Sequence, residues 1–409
     1  MHPSRGILGT LSSILNGKRI TLCVTGSVSA YLSPAIAREL MRHGADVHAF
    51  LTPDALKLVT PALLQWATGN PVVTEMTGEL EHIRYARDSD LILVAPATAN
   101  TMAKMVYGIS DNAVTALVLT AMGHGKKIVV VPAMHEPMWI AGQTRRNLDA
   151  LRSMGVEVVE PQMGEEKAKM AEPAYVADHV IRLLHPKRLP EGVRVLVSAG
   201  ATVEHIDPIR VVTNQSSGRM GIEIAVEAFR RGAETNLVLG HASVEPPHYI
   251  PTIRVTDSES LKQALQTHIT TDPPHIYFST IAVADYRPKR RWETKVDTTS
   301  QQEISLELRA VDKILPIVKS LSPSTIVIAF KAEHNVDDDT LLLRARKLLD
   351  YSDLVYASDV GRPGAEFGSR TTSGVIVDAA RNIVHIKSRS KGEVAAMLLD
   401  LAASKLARG

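Results

Sequence analysis

The chain has 409 residues, which is too long for one ordinary hydrophobic core and predicts two domains of roughly 200 residues each. Lysine and arginine number 46 against 44 aspartates and glutamates, so the nearly balanced charge excludes a nucleic-acid partner and favours small molecules. A single cysteine, Cys23, excludes an intrachain disulfide. The apolar runs are far shorter than the roughly 20 residues that span a bilayer, and the N-terminus lacks the apolar core of a signal peptide. We therefore expect a cytoplasmic protein without a membrane partner.

The two halves of the chain follow one plan. In the first half, the pattern predicts a strand over residues 19–25, a glycine-serine turn, a helix and a second strand over 44–51. The second half repeats this order around a glycine-rich loop, with strands over 194–198 and 232–239. Parallel strands joined by crossover helices form open sheets that bind ligands at the carboxyl ends of the strands. The predicted fold class is therefore α/β, with two Rossmann-like domains built on open, mainly parallel sheets.

A boundary between the halves is predicted near residue 187. Residues 185–192 combine two prolines with charged residues, a composition that is typical of an exposed linker. We therefore place the domains at residues 1–186 and 187–409. Short apolar runs predict further strands over residues 91–95, 127–131, 275–279, 325–329, 354–357 and 375–377.

The most informative segment is Thr-Asn-Gln-Ser-Ser-Gly-Arg-Met-Gly at residues 213–221. It is crowded with small residues and precedes a predicted helix, so its free N–H groups would face an anion at the N-terminus of that helix. No Gly-Lys-Ser/Thr triplet ends the segment, which excludes a Walker loop. The hypothesis is a site for a phosphate or a nucleotide, and the alternative is a glycine-rich turn without a ligand.

A second polar segment, Ala-Pro-Ala-Thr-Ala-Asn at residues 95–100, follows a predicted strand and offers a threonine and an amide where a helix begins. Taken alone, it is equally explained as a helix cap. Three further segments accompany it: Gly-Ser-Val-Ser at 26–29, Gly-Ile-Ser-Asp-Asn at 108–112, and Pro-Ala-Met-His-Glu-Pro-Met-Trp at 132–139. Together these segments resemble the flavin-dependent cysteine decarboxylases, and specifically the phosphopantothenoylcysteine decarboxylases.

This resemblance implies a flavodoxin-like domain with FMN as its cofactor. The catalytic histidine of the family matches His82, which would remove the thiol proton of the substrate beside the flavin. Lone histidines are more often structural, so the role of His82 depends on the resemblance. The residues that the resemblance places against FMN are Gly26, Ser27, Ser29, Thr52, Thr98 and Asn100.

The chain departs from the common pattern of that family in two places. Most members carry Pro-x-Met-Asn, where this chain ends the motif with His135, and a clamp with a cysteine, where residues 160–170 contain none. The histidine and a Lys-Ala-Lys clamp look like the archaeal branch of the family. His135 would then bind the substrate carboxylate or relay a proton, while Lys167 and Lys169 would close over the phosphate of the substrate. The alternative for the clamp is a surface loop with solvated lysines.

In the second half of the chain, the segment that runs from residue 198 through the loop at 213–221 resembles phosphopantothenate–cysteine ligase. The resemblance implies that CTP activates a carboxylate as an acyl-cytidylate, with Mg²⁺, before the amine of cysteine displaces CMP. It makes Asn214 and Lys295 catalytic, over the acyl phosphate and the triphosphate, and it places Asp285 at the ribose or the magnesium. The other candidates for nucleotide or substrate contacts are Arg210, Ser216, Ser217, Gly218, Arg219, Lys289, Lys313, Phe330, Arg346 and Lys347.

The two resemblances together cover nearly the whole chain. They imply a bifunctional enzyme of coenzyme A biosynthesis, which ligates 4'-phosphopantothenate to cysteine and then decarboxylates the product to 4'-phosphopantetheine. They also imply a homo-oligomer, with trimers or dodecamers formed through the flavin domain and dimers formed by the ligase domains. The alternative is an active ligase whose flavin domain only binds FMN or a partner.

Overall fold

The computed structural model describes residues 2–164, 167–297 and 303–407. The chain separates into two compact units, with the division between Arg188 and Leu189. Within the described ranges, no helix is long and apolar enough to cross a membrane.

The first unit contains strands and helices that alternate along the chain. Its strands are β1 (Arg19–Val24), β2 (Asp46–Leu51), β3 (Val72–Val73), β4 (Leu91–Ala97), β5 (Lys127–Pro132), β6 (Met134–His135), β7 (Glu157–Val158), β8 (Gln162–Gly164) and β9 (Lys167–Lys169). Its α-helices are α1 (Ser33–Arg42), α2 (Pro61–Thr68), α3 (Glu81–Asp88), α4 (Ala99–Tyr107), α5 (Ala113–Gly123), α6 (Glu136–Ile140), α7 (Gly142–Ser153) and α8 (Pro173–Leu184). Short 3₁₀ helices cover Pro3–Ile7, Val28–Leu32 and Ala55–Lys57.

Six strands of the first unit form one parallel sheet in the order β3-β2-β1-β4-β5-β7. Strand β4 is buried along its whole length, as is typical of a parallel strand with both faces covered. The strand order reverses between β1 and β4, so the connections that follow these strands leave on opposite sides and open a crevice. A separate small sheet, β6-β9-β8, was not predicted from the sequence.

The second unit repeats the alternation and also contains antiparallel pairs of strands. Its strands are β10 (Arg194–Ala199), β11 (Val203–His205), β12 (Val211–Thr213), β13 (Glu234–Leu239), β14 (Thr252–Arg254), β15 (Ile276–Ser279), β16 (Tyr286–Pro288), β17 (Leu308–Ala310), β18 (Ile326–Glu333), β19 (Leu354–Asp359), β20 (Thr371–Asp378) and β21 (Ile383–Ser390). Its α-helices are α9 (Arg219–Arg230), α10 (Ser258–Thr271), α11 (Ile314–Leu321), α12 (Asp338–Arg346) and α13 (Lys391–Leu406). One 3₁₀ helix covers Lys347–Asp350.

The main sheet of the second unit has the order β14-β13-β10-β15-β18-β19-β20-β21. The first six of these strands are parallel, and β20 and β21 pair antiparallel at one edge. The predicted α/β class with mainly parallel sheets is therefore confirmed. The order reverses between β10 and β15, which makes a second crevice. The hairpin β11-β12 stands between β10 and the loop at 213–221, where the sequence pattern predicted a glycine loop alone.

Helices α9 and α13 lie side by side and run in the same direction. Near their beginnings, a Cβ on Gly392 would lie 3.7 Å from Oε2 of Glu223. Near their later turns, the almost fully buried Arg231 donates to Glu227 at 2.8 Å and to Asp400 at 2.6 Å. Both helices therefore begin at the same end of the unit, beside the carboxyl ends of the parallel strands.

Gly221 allows α9 to approach the sheet closely. A Cβ at this position would lie 2.4 Å from Cβ of Ala199 and 2.4 Å from Oγ1 of Thr280. Ala199 is the last residue of β10, and Thr280 directly follows β15. The first turn of α9 is therefore held against the crevice between these strands.

Substitution of Gly221 by alanine is expected to lower the free energy of unfolding by about 1–3 kcal/mol, because the added methyl group overpacks the contact with β10 and β15. Gly392→Ala is the matched control, since its Cβ would meet only an ordinary van der Waals contact inside helix α13. The control is expected to leave stability unchanged or to raise it by up to about 1 kcal/mol. Urea unfolding of the full chain, followed by circular dichroism, measures both variants. Equal effects in the two variants would contradict the close approach of α9.

Candidate functional site

In the first unit, hydrogen bonds join three segments that follow parallel strands. Oγ1 of Thr25 donates to the carbonyl of Pro96 at 2.7 Å and accepts from the amide of Thr98 at 3.2 Å. Oγ of Ser27 lies 3.5 Å from the carbonyl of Ala133. The glycine-serine turn, the segment at 95–100 and the segment at 132–139 therefore meet at one edge of the sheet, beside its crevice.

The turn after β1 also packs against the loop that follows β2. A Cβ at Gly26 would lie 2.5 Å from Cβ of Asp54, so this position requires glycine. Thr52 is buried, and its amide donates to the carbonyl of Val24 at 3.0 Å. The two predicted flavin residues Gly26 and Thr52 thus belong to one local structure.

The predicted polar contacts to the flavin are not equivalent. Thr98 caps helix α4, because its Oγ1 accepts from the amide of Thr101 at 3.2 Å. The helix-cap interpretation of this threonine is therefore fulfilled in the structure. Ser29 is half-buried and Asn100 is exposed, and neither side chain has a hydrogen bond to the described part of the chain. These two side chains are available to a ligand.

His82 lies in the first turn of helix α3 and is half-buried. Its Nδ1 is buried and has no hydrogen-bond partner within the described residues. The preceding residue, Glu81, is held by the amide of Thr77 at 2.9 Å. The first turn of α3 therefore holds His82 in place, and its buried Nδ1 forms no hydrogen bond with the described part of the protein.

The predicted clamp is a β-hairpin rather than a loop. Strands β8 and β9 pair antiparallel, and β9 also pairs with β6, which places His135 opposite Lys167. Ala168 is buried between Lys167 and Lys169, which are both exposed. Alternate residues of a strand share a face, so the two lysines lie on the exposed face of a hairpin that is joined to His135.

The second unit contains a cavity of about 560 Å³ at the carboxyl ends of β15, β18 and β19, beside the first turn of α9. It lies at the crevice that the strand order predicts, and this is the usual place for a ligand in such sheets. Among the residues singled out from the sequence, those that line the cavity are Asn214, Ser216, Ser217, Gly218, Arg219, Asp285 and Phe330. Those that lie outside its lining are Arg210, Lys289, Lys295, Lys313, Arg346 and Lys347.

The loop at 213–221 delivers the N-terminus of α9 to this cavity. Gly218 adopts a left-handed conformation with φ of +75°, and as N-cap it offers no side chain to the first N–H groups of the helix. Oγ of Ser216 accepts from the amide of Gly218 at 3.3 Å, and Oγ of Ser217 accepts from the amide of Arg219 at 3.4 Å. Both hydroxyl hydrogens remain free to donate, which suits an anionic ligand.

Asn214 connects the loop to the segment after β15. Its Nδ2 donates to the carbonyl of Val283 at 3.0 Å. This contact fixes the direction of the amide at the rim of the cavity and leaves one N–H of the same group for a ligand.

The cationic side chains near Asp285 are engaged by surface carboxylates. Nζ of Lys313 lies 2.5 Å from Asp285, and Nζ of Lys289 lies 3.1 Å from Glu307. All four side chains are well exposed, and exposed ion pairs contribute little to stability. A charged ligand can therefore rearrange these pairs at small cost.

Arg210 has a structural partner. It forms an ion pair with the fully buried Asp207 at 2.6 Å and donates to the carbonyl of Val296 at 3.1 Å. Hydrogen bonds from the amides of Arg210 and its neighbours hold the pKa of Asp207 well below its usual range. Because Asp207 also accepts from the amide of Val296 at 3.2 Å, it positions the exposed Lys295 next to it.

One wall of the cavity is aromatic. The rings of Phe330 and Tyr356 meet edge to face, with centroids 5.5 Å apart. Burial raises the pKa of Tyr356 to about 12, although its hydroxyl forms a 2.7 Å hydrogen bond with Thr372. This wall therefore stays uncharged, and the half-buried ring of Phe330 offers an apolar surface to a ligand, whereas Tyr356 is itself buried.

Sequence reasoning missed several residues that line the cavity, including Thr280, Lys331, Tyr356 and Lys391. Lys391 begins helix α13 and is brought to the cavity from the far end of the chain. The structure also places residues 365–368, in the connection between β19 and β20, in the lining. A Ser-x-x-Glu capping box at Ser390 was the available signal for the helix start, but it does not predict which cavity the helix reaches.

Comparisons with known proteins agree with the division into two units. The chain matches the family model Flavoprotein over residues 9–185 and the model DNA/pantothenate metabolism flavoprotein C-terminal domain over residues 190–406. It is 41% identical over 402 residues to the coenzyme A biosynthesis bifunctional protein CoaBC of Thermococcus kodakarensis, with 96% of this chain and 97% of that protein covered. The chain belongs to the family of coenzyme A biosynthesis bifunctional proteins CoaBC.

Other members of the family are also similar along most of the chain. The protein of the same name from Methanocaldococcus jannaschii is 36% identical and the one from Escherichia coli K12 is 30% identical, with 88% and 87% of this chain covered and 88% and 89% of theirs. Both relatives with the higher identities are archaeal, as the sequence motifs implied. The resemblance to a bifunctional decarboxylase and ligase of coenzyme A biosynthesis is confirmed.

Solved structures align with parts of the chain. The C-terminal domain of a coenzyme A biosynthesis bifunctional protein CoaBC aligns at 27% identity with a TM-score of 0.44, covering 54% of this chain and 98% of that chain. A PPC decarboxylase mutant complexed with pantothenoylaminoethenethiol aligns at 26% identity with a TM-score of 0.36, covering 40% and 96%.

Proposed function

We propose that the second unit joins 4'-phosphopantothenate to cysteine at the expense of CTP, and that the first unit decarboxylates the product to 4'-phosphopantetheine with FMN. The observation that carries the proposal is the cavity of the second unit, where an uncapped helix N-terminus, two free hydroxyl hydrogens and an aromatic wall surround one space. Phosphates match the first two features, and a nucleotide base matches the third.

In the ligase reaction, the carboxylate of phosphopantothenate attacks the α-phosphate of CTP, pyrophosphate leaves, and the amine of cysteine then displaces CMP. Charge builds on oxygen in both steps, and fixed N–H donors stabilise that charge best. Asn214 has one N–H free for the acyl phosphate, while Ser216, Ser217 and the N-terminus of α9 are suited to hold phosphate oxygens. Lys295 and Arg210 contact substrate only if the flanking segment moves towards the cavity.

The acidic residues in the lining of the cavity are Asp285 and Glu366. Within the described parts of the chain, no cluster of three or more histidine, cysteine, aspartate or glutamate side chains could hold a metal ion. Magnesium at phosphates usually needs only one or two carboxylates, with phosphate oxygens and water completing the shell. Asp285 suits that role because it lines the cavity and its partner Lys313 is exposed.

The flavin site fits FMN in the same sense. Gly26 leaves no room for a side chain, Ser29 and Asn100 have free polar groups, and helix α4 begins beside them. When bound, FMN supplies the two-electron redox chemistry that lets the carboxylate leave towards a thiocarbonyl. His82 would take the thiol proton, while His135 and the two clamp lysines would hold the carboxylate and the phosphate of the substrate.

A second candidate function is a ligase whose flavin domain only binds FMN or a partner. It is favoured by the absence of a clamp cysteine, since Cys23 is fully buried in β1 and burial strongly raises the pKa of its thiol. The proposal also includes a cytoplasmic location and a homo-oligomer, with trimers or dodecamers through the first unit and dimers through the second. These extend the family resemblance, and light scattering of the purified protein tests the assembly.

The direct test of both activities is incubation of the purified protein with phosphopantothenate, cysteine, CTP and Mg²⁺, with CMP, CO₂ and phosphopantetheine measured in one reaction. We expect all three products. Release of CMP without CO₂ would refute the decarboxylase and leave the second candidate. Absence of all three products would refute the whole proposal.

His82→Asn is expected to keep the yellow flavin and to lower the rate of CO₂ release by about 100-fold or more, because it removes the proposed base. CMP release should be unchanged, since His82 belongs to the first unit. His124→Asn is the matched control, because His124 is exposed at the end of helix α5. Normal CO₂ release by His82→Asn, or an equal loss in the control, would show that another group is the base.

Asn214→Asp is expected to lower the rate of CMP release by about 100-fold or more, because it replaces an amide donor at the acyl phosphate with a carboxylate. CTP should still bind, which equilibrium dialysis measures. Gln263→Glu adds the same charge on the exposed side of helix α10 and serves as the control. A variant with unchanged CMP release would remove Asn214 from the mechanism.

A further inference from the structure

Two helices direct their N-termini at the cavity of the second unit. Helices α9 and α13 run in parallel, and their first residues, Arg219 and Lys391, both line that cavity. The N-terminus of a helix carries roughly half a positive charge, so two of them side by side repel each other unless an anion lies between or in front of them. The cationic side chains of Arg219 and Lys391 add to the same field.

Lys391 is the more unusual of these two residues. Only 9% of its surface is exposed, yet its ammonium group has no hydrogen bond or ion pair with any residue that the structure describes. Buried lysines are rare and are normally paired. Nε of Arg219 is buried without a partner among the described residues. Two unsatisfied cationic groups therefore belong to one cavity.

The surrounding charges do not neutralise this pair. Burial and the nearby positive charge of Arg219 lower the pKa of Lys391 from its ordinary value, and Glu223 on α9 opposes that shift. Of the two acidic residues in the cavity lining, Asp285 is paired with Lys313, which leaves Glu366. The capping box of α13 engages Glu393 with Ser390 rather than with Lys391. A ligand of high negative charge would neutralise the excess positive charge of Lys391 and Arg219.

We propose that Lys391, together with Arg219, forms a phosphate subsite of this cavity. Phosphate is the preferred ligand because its oxygens accept from an ammonium, a guanidinium and helix N–H groups at the same time. The inference rests on the proposed ligase function and deepens it, since a phosphate group occurs both in the triphosphate of CTP and in the monoester of 4'-phosphopantothenate. Lys391 acts in binding, and no chemical step is assigned to it.

The first test is the steady-state kinetics of Lys391→Met, which keeps the buried apolar stem and removes the charge. We expect KM to rise about tenfold or more for CTP or for phosphopantothenate, because a charged hydrogen bond to phosphate is lost. KM for cysteine is expected to change less than twofold. A rise for CTP alone identifies the triphosphate as the occupant, and a rise for phosphopantothenate alone identifies the monoester.

Two control variants separate the charge of Lys391 from its packing. Lys387→Met removes an exposed lysine from strand β21 and should leave all three KM values unchanged. Lys391→Arg keeps the positive charge and should retain most of the affinity. Unchanged KM values in Lys391→Met, or an equal rise for cysteine, would overturn the proposal.

A binding test that does not depend on activity uses inorganic tripolyphosphate and inorganic phosphate as probes. Thermal unfolding of the full chain should shift upwards with one of these anions, and the shift should be lost in Lys391→Met but kept in Lys387→Met. A wild-type chain that is inactive yet shows this difference would refute the ligase function and keep the subsite. Equal shifts in both variants would refute the subsite, and if Lys391→Met fails to fold, Lys391→Gln replaces it in the same comparison.

Discussion

In a parallel sheet every strand ends at the same edge, and the connections that follow must leave their polar groups there. Both units of this protein depend on that constraint. In the first unit it brings the turn after β1 and the segment after β4 to one crevice, where Thr25 bonds to Pro96 and Thr98. In the second unit it brings Asn214 within 3.0 Å of the carbonyl of Val283. The sites exist because the strand order reverses at these points and opens space between the connections.

The two crevices differ in their charge. In the second unit, helices α9 and α13 begin at the cavity with Arg219 and Lys391. These two side chains give this partly buried space an excess of positive charge. Such an arrangement opposes stability, and the packing of α9 and α13 on the sheet, with the buried Arg231 paired to Asp400, offsets it. A phosphorylated substrate would neutralise this positive charge, so its binding would also stabilise the structure around the cavity.

In the first unit, two exposed positive charges lie on the hairpin β8-β9. Lys167 and Lys169 share the exposed face of β9, and the ladder to β6 places His135 opposite Lys167. The hairpin therefore combines in one small sheet the groups that the family resemblance assigns to separate tasks. In the proposed function, His135 and these two lysines hold the carboxylate and the phosphate of the substrate.

The sequence alone determined the α/β class, the two repeated units and the family, because period-two and helical patterns, glycine turns and short motifs are local properties. It also singled out the loop at 213–221, and five of the loop residues predicted for the site line one cavity together with Asp285 and Phe330. Only the tertiary structure showed that Thr98 caps its helix, that Arg210 is bound to Asp207, and that Lys391 reaches the cavity from a distant helix. These facts depend on which segments the fold brings together, and no local pattern encodes the parallel packing of α9 against α13 or the charge that it concentrates.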